Sequence, residues 1–306
     1  MSETRRDSPP IAWVESPLQL IGAAEWASAH DTKVPVAGRL TTQMSETADE
    51  LVARGAPFSD TEPYLGIPWN LLARHRHWLV GDGFSGQFRL AVAVLRPRRI
   101  TFLDDGANTL ALADALTGRG ALCRPGVAER GVVTRLRPFV LEQVLGRAYA
   151  GGVDFFTAFE FGSRRAVEID ALGIRVRRHR FAWTRQSARP FTDDTDGRIV
   201  LGSARPADGR MPLPQYLDWV SAQAARASVT YLPHRRETDA QRNAVSAIAG
   251  VKVVDRRIPA ELLLAGTTRP LEIMTLASSA STTLPSVLRG SGSVIVPAAS
   301  ADQVHA

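Results

Sequence analysis

Short apolar runs that stop at glycine, aspartate or serine recur along this chain, each followed by a stretch with helical spacing. This alternation constrains the fold more than any other feature, because strand–helix repeats build parallel sheets covered by helices. In the first half Ile11 to Glu15, Val34 to Ala37, His77 to Val80 and Ile100 to Leu103 read as strands. Helices are expected over Leu18 to Ser28, opened by Pro17, and around Thr42 to Arg54. The stretch Ser187 to Gly197, SARPFTDDTDG, has no apolar period and reads as a linker. A second series follows, with strands Arg198 to Leu201, Val229 to Leu232, Val251 to Val254 and Val294 to Val296. Its helices are expected near Leu213 to Arg226, over Thr238 to Ala249, from Pro259, and over Thr282 to Leu288. With 306 residues, 44% of them hydrophobic, the chain can bury two cores. The expected fold class is therefore α/β, with two Rossmann-like domains, residues 1–190 and 191–306, facing across a ligand cleft.

The formal net charge of +6 suggests a polyanion partner until it is located. Between Gly162 and Arg189 eight arginines stand against Glu168 and Asp170, so that one segment carries the whole excess. Its densest part, Arg175 to Arg180, reads as a solvated face; the alternative is a surface for phosphates, a polyanion or anionic lipid headgroups. Charge confined to one segment, with no nucleic-acid motif beside it, argues against a nucleic-acid partner. The lone Cys123 excludes an internal disulfide and a four-cysteine zinc site, which suits a reducing cytoplasm. No apolar run approaches the ~20 residues that span a bilayer, and MSETRRDSPP lacks a signal-peptide core. A cytoplasmic location is expected, peripheral to the inner face of a membrane if the arginine segment meets lipid.

Chemistry-bearing residues fall where strands end, which is where open α/β sheets bind ligands. Asp104-Asp105-Gly106 follows ITFL; one aspartate could take a proton from a bound hydroxyl, or the pair could cap a helix over Asn108 to Leu116. His234 follows VTYL, and an imidazole with a pKa of about 6.5 could donate a proton or hydrogen bond, or be an ordinary surface histidine. Ser278-Ser279 precedes a helix and could cradle phosphate or serve as a cap. Glu261, in IPAELLL, could accept from sugar hydroxyls or a base amine, or simply open a helix. The acidic run Thr192 to Asp196 has a metal-site composition but reads as a solvated turn. No GxxxxGK phosphate loop, complete GxGxxG or GxSxG elbow occurs.

Taken together, VESPLQL (Val14 to Leu20), FLDDG (Phe102 to Gly106), YLPHRRE (Tyr231 to Glu237), IPAELLL (Ile258 to Leu264) and ASSASTTLP (Ala277 to Pro285) resemble the bacterial sialyltransferase superfamily, in its polysialyltransferase-like and lipooligosaccharide sialyltransferase-like branches. The acidic-acidic-glycine, histidine and serine-serine motifs keep the family's order from Val14 to about Pro297, although proline precedes His234 instead of following it. The resemblance implies a GT-B-type, inverting transferase that needs no metal or cofactor and moves sialic acid or a related keto-deoxy sugar from a CMP donor to a glycan or glycolipid hydroxyl. It implies Asp105, or else Asp104, as the base and His234 at the leaving phosphate. Ser278, Ser279, Gly202, Ser203 and Glu261 would hold the nucleotide. Ser16, Gln19, Gly83, Ser85 and Gly86 would touch the donor sugar or acceptor. Competing expectations are a transferase using another nucleotide sugar, and a non-enzymatic polyanion-binding protein.

Overall fold

The computed structural model describes residues 8–125, 132–192, 197–254 and 256–298. The extreme N-terminus and residues 193–196, which carry the signal-peptide and acidic-turn expectations, lie outside the described residues. The chain divides into two compact units, residues 1–183 and 184–306.

The first unit holds seven parallel strands: Ile11–Val14 (β1), Val34–Arg39 (β2), Phe58–Tyr64 (β3), His77–Val80 (β4), Arg99–Phe102 (β5), Val153–Thr157 (β6) and Arg175–Arg178 (β7). They lie in the order β3-β2-β1-β4-β5-β6-β7. Chain order reverses between β1 and β4, so the crevice beyond their carboxyl ends is the topological switch point. β1, IAWV, and β6, VDFFT, are buried along their whole length, as expected of strands covered on both faces. Trp13 and Trp78 pack edge to face at 6.1 Å across β1 and β4, and Phe88 meets Phe102 at 5.8 Å. The core therefore sits directly beneath the strand ends that carry Glu15, Asp82 and Asp104.

The densest part of the arginine segment forms the edge strand β7, with Arg175, Arg177 and Arg178 exposed. Arg175 and Arg99 both donate to the buried Asp154 at 2.9 Å, and Arg178 donates to Glu160 at 2.7 Å. Charged side chains on an edge strand hinder pairing with another chain, which gives the run a structural purpose. His179, at its end, is buried.

The second unit is a five-stranded parallel sheet of Arg198–Leu201 (β8), Val229–Leu232 (β9), Val251–Val253 (β10), Glu272–Thr275 (β11) and Val294–Pro297 (β12). Their order is β10-β9-β8-β11-β12, which puts a second switch point between β8 and β11. The core gathers Val200, Tyr216, Val220, Tyr231, Val245 and Met274. The run before the serine pair, EIMT, is strand β11. Both sheets agree with the expected α/β class. Among the described residues no helix is long and apolar enough to cross a membrane.

Candidate active site

Strand β5 delivers two adjacent aspartates to different environments. Asp104 is fully buried. Its Oδ1 accepts from the Thr157 hydroxyl, and its Oδ2 accepts from the Ala158 amide at 2.8 Å and stands 2.9 Å from Nε2 of His179. It ties together the ends of β5, β6 and β7, and its acceptor positions are consumed in doing so. Asp105 is half-buried at the crevice. Gln19 Nε2 donates to its Oδ1 at 2.6 Å and Asn108 Nδ2 to its Oδ2 at 2.8 Å. Burial, and then the nearby Asp82 carboxylate, push its pKa up to about 6 against the lowering effect of these two hydrogen bonds and Arg124. Neither aspartate caps the following helix by its side chain: that helix, Asn108–Leu116, starts from Ala107 with no side-chain cap. Gly106 takes a left-handed φ of 63°, which favours glycine at this turn.

Gln19 is the clamp of this half-site. Its Oε1 accepts the amides of Glu15 at 2.6 Å and Ser16 at 3.1 Å, so one carboxamide joins the end of β1 to Asp105. A Cβ at Gly81 would fall 2.0 Å from that oxygen, so the end of β4 must be glycine for the clamp to close. Ser16 thus contributes its backbone here. Of the other loop residues, Gly83 is pressed against Leu112 and Phe102, Ser85 Oγ accepts from the Phe88 amide at 3.1 Å, and Gly86 begins the helix Gly86–Leu95.

Two further carboxylates stand at the neighbouring strand ends, and Asp82 is the one that acts on Asp105. Glu15 pairs with Arg39 at 3.0 Å, and the buried Asp82 pairs with Arg124. Burial and Asp82 also raise the pKa of Glu15, opposed by the Ser85 hydroxyl, Arg39 and Arg124. Both acids were visible in the sequence at strand ends, but nothing there tied them to Asp105.

In the second unit, Gly202 and Ser203 leave β8 at the switch point, and His234 follows β9. The Arg236 amide donates to His234 Nδ1 at 3.1 Å, which places the neutral ring's proton on Nε2. Burial, with Arg235 and Arg236 alongside, lowers its pKa to about 4. The ring is therefore neutral near pH 7 and offers a hydrogen bond from Nε2. Beneath it lies a polar knot absent from the sequence reading. Tyr216 and Tyr231 hydroxyls meet at 2.7 Å, Tyr231 donates to Glu237 Oε1 at 2.7 Å, and the His234 amide donates to the same oxygen at 2.8 Å. Burial pushes Glu237 up to about 7 although these donors lower it. A Cβ at Gly202 would lie 2.0 Å from Glu237 Oε1 and 2.5 Å from the His234 amide nitrogen. Tyr231 and Glu237 both belong to YLPHRRE, so the motif records this support as well as the histidine.

Glu261 is buried in the first turn of Ala260–Leu264 and accepts from the Thr283 hydroxyl at 2.6 Å, joining that helix to Ala280–Val287. Ser278 and Ser279 lie past β11, and the helix behind them begins without a side-chain cap. Among the described residues no group of three His, Cys, Asp or Glu side chains is arranged to hold a metal ion.

No family model and no curated protein matches the sequence. Among solved structures, the chain is similar to a UDP-glucose:anthocyanidin 3-O-glucosyltransferase in complex with UDP, at 12% identity over 94% of this chain and 80% of that one, with a TM-score of 0.52. It also matches Acinetobacter baumannii MurG (12% identity, 97% and 80% covered, TM-score 0.37) and the kitacinnamycin glycotransferase (11% identity, 95% and 86% covered, TM-score 0.37). At 12% identity what the first of these shares with the chain is its fold, and the two parallel α/β sheets are those of the GT-B architecture.

Proposed function

We propose that the protein is an inverting, metal-independent glycosyltransferase that moves sialic acid or a related keto-deoxy sugar from a CMP donor to a glycan hydroxyl. The acceptor is assigned to residues 1–190 and the donor to residues 191–306. The observation that carries the reading is the division of labour within Asp104-Asp105-Gly106: Asp104 is committed to the scaffold, while Asp105 stands at the crevice with a pKa near 6. A carboxylate so tuned is ionised at neutral pH and basic enough to take a hydroxyl proton as the glycosidic bond forms.

The leaving group is already a phosphate, so the protein has to position two substrates and stabilise developing charge. Asp105 receives the acceptor proton. The Nε2–H of His234 donates to the departing phosphate oxygen, with its loop held by Glu237. Ser278, Ser279 and the Gly202-Ser203 loop receive the phosphate. Glu261 accepts from the cytidine through the oxygen that Thr283 does not occupy. With one base and no protein nucleophile, a single displacement inverts the anomeric centre.

The order of the acidic, histidine and serine motifs supports CMP as the nucleotide. The fold likeness to an enzyme whose name specifies UDP-glucose supports a UDP-sugar as the second reading. Release of nucleotide from CMP-sialic acid, UDP-glucose and a GDP-sugar, each with a panel of glycans and with or without chelator, separates the two. Turnover of the UDP-sugar alone refutes the CMP assignment, and chelator-sensitive turnover refutes metal independence.

A further inference from the structure

We propose that Arg205 is the cation of the donor phosphate site, binding the nucleotide's phosphate together with Ser278 and Ser279. This rests on the reading of the second unit as the donor side, and it adds a residue that no motif assigns.

Arg205 lies four residues beyond the end of β8, on the loop that leaves the switch point. Its amide donates to Ser203 Oγ at 3.2 Å, and its Nη2 lies 3.4 Å from the carbonyl oxygen of Ala277, the residue before the serine pair. The guanidinium thus reaches from the β8 loop to the β11 loop, the two loops that flank the crevice. Open α/β sheets bind ligands at this place.

Its partners leave its charge available. Arg236 is bound to Asp208, Arg242 to Asp239 and Arg198 to Glu272, so each of those cations already faces a carboxylate. Arg205 is bonded to no carboxylate among the described residues; the Ala277 oxygen is neutral and at the long limit of a hydrogen bond. The hydroxyls of the serine pair that follows Ala277 make no hydrogen bond with another described residue, although the Ser279 carbonyl accepts the Thr282 and Thr283 amides at 2.9 and 3.1 Å. Two uncommitted hydroxyls and one guanidinium match the donor needs of a phosphate. One positive charge suits the single phosphodiester of a nucleoside monophosphate sugar. A diphosphate would bring a second negative charge beside a neutral His234.

Calorimetric titration with CMP and with cytidine, on the full chain and on Arg205→Gln and Arg205→Lys, tests the assignment. CMP affinity should fall about 10- to 100-fold in Arg205→Gln, toward the level at which the unaltered protein binds cytidine, with an intermediate loss in Arg205→Lys. Cytidine affinity and the melting temperature should not change. Undiminished CMP binding in Arg205→Gln, or equal losses for CMP and cytidine, overturns the assignment while leaving the transferase reading intact. If the unaltered protein does not bind CMP at all, the CMP reading falls and this inference falls with it.

Discussion

Replacing Asp105 with asparagine should make the protein more stable and nearly inactive, and the gain should depend on pH in a defined direction. Asp105 has a pKa raised from its ordinary 3.8 to about 6, chiefly by burial and by Asp82. The native state therefore holds this proton more tightly than the unfolded chain. Below about pH 4 the group is protonated in both states and costs nothing. Between pH 4 and 6 the unfolded chain releases the proton first, so stability falls as pH rises, and the full penalty remains above pH 6. The difference of about two pKa units corresponds to an upper bound of ~3 kcal/mol, reduced by the partial exposure of the carboxylate and its coupling to Asp82. Asp105→Asn removes that titration and keeps a carbonyl to accept from Gln19. Urea unfolding at pH 4 and pH 8 should show the variant gaining on the parent by about 1–3 kcal/mol between the two, or several degrees of melting temperature for a unit this size. Turnover should fall by roughly 10²–10⁴ with nucleotide affinity unchanged. Asp104→Ala should instead destabilise by about 3–5 kcal/mol at neutral pH, since the hydroxyl, amide and imidazole it holds would lose their partner. A stability difference between Asp105→Asn and parent that does not change with pH refutes the environment assigned to Asp105.

The same titration fixes the pH–rate profile: kcat/KM should rise about tenfold per pH unit up to about 6 and level off above it, and an acid limb more than about one unit away would exclude Asp105 as the base. Gly202→Ala should cost about 1–3 kcal/mol and weaken donor binding, because the new Cβ meets the His234 backbone nitrogen at 2.5 Å; normal donor affinity in that variant would remove Gly202 from the site. Arg124, the cation that acts on Asp105, already faces Asp82, and Arg39 faces Glu15, so a neutral glycan should serve as acceptor at least about tenfold better than its sialylated counterpart at low salt. Faster transfer to the sialylated glycan would contradict this.

Much of the scaffold was legible in the sequence, because buried parallel strands such as HWLV and VTYL are nearly pure apolar runs. The two sheet edges of the first unit were not. β3, FSDTEPY, and β7, RVRR, lack apolar periodicity because an edge strand faces solvent and needs charge to deter pairing. β6 is interrupted by Asp154, whose apparent misfit is resolved by Arg99 and Arg175 on the neighbouring strands. At the candidate site the positions could be read but not the partnerships. Gln19 and Asp105 are 86 residues apart in sequence and 2.6 Å apart in space, a pairing that only the strand order creates. In the same way His179 looked like one more member of a basic run, whereas folding buries it against Asp104.

For the transferase proposed above, the two anchors of the Asp105 loop bear on how new substrates could be acquired. Asp104 fastens the loop to β6 and β7, and Gln19 fastens it to β1, so substitutions at either anchor displace the Asp105 carboxylate before they alter preference. Leu40, Leu65 and Trp69, beyond the ends of β2 and β3, are exposed and take no part in these anchors. Laboratory evolution toward different acceptors should therefore accumulate changes around those three residues and leave the Asp105 anchors untouched.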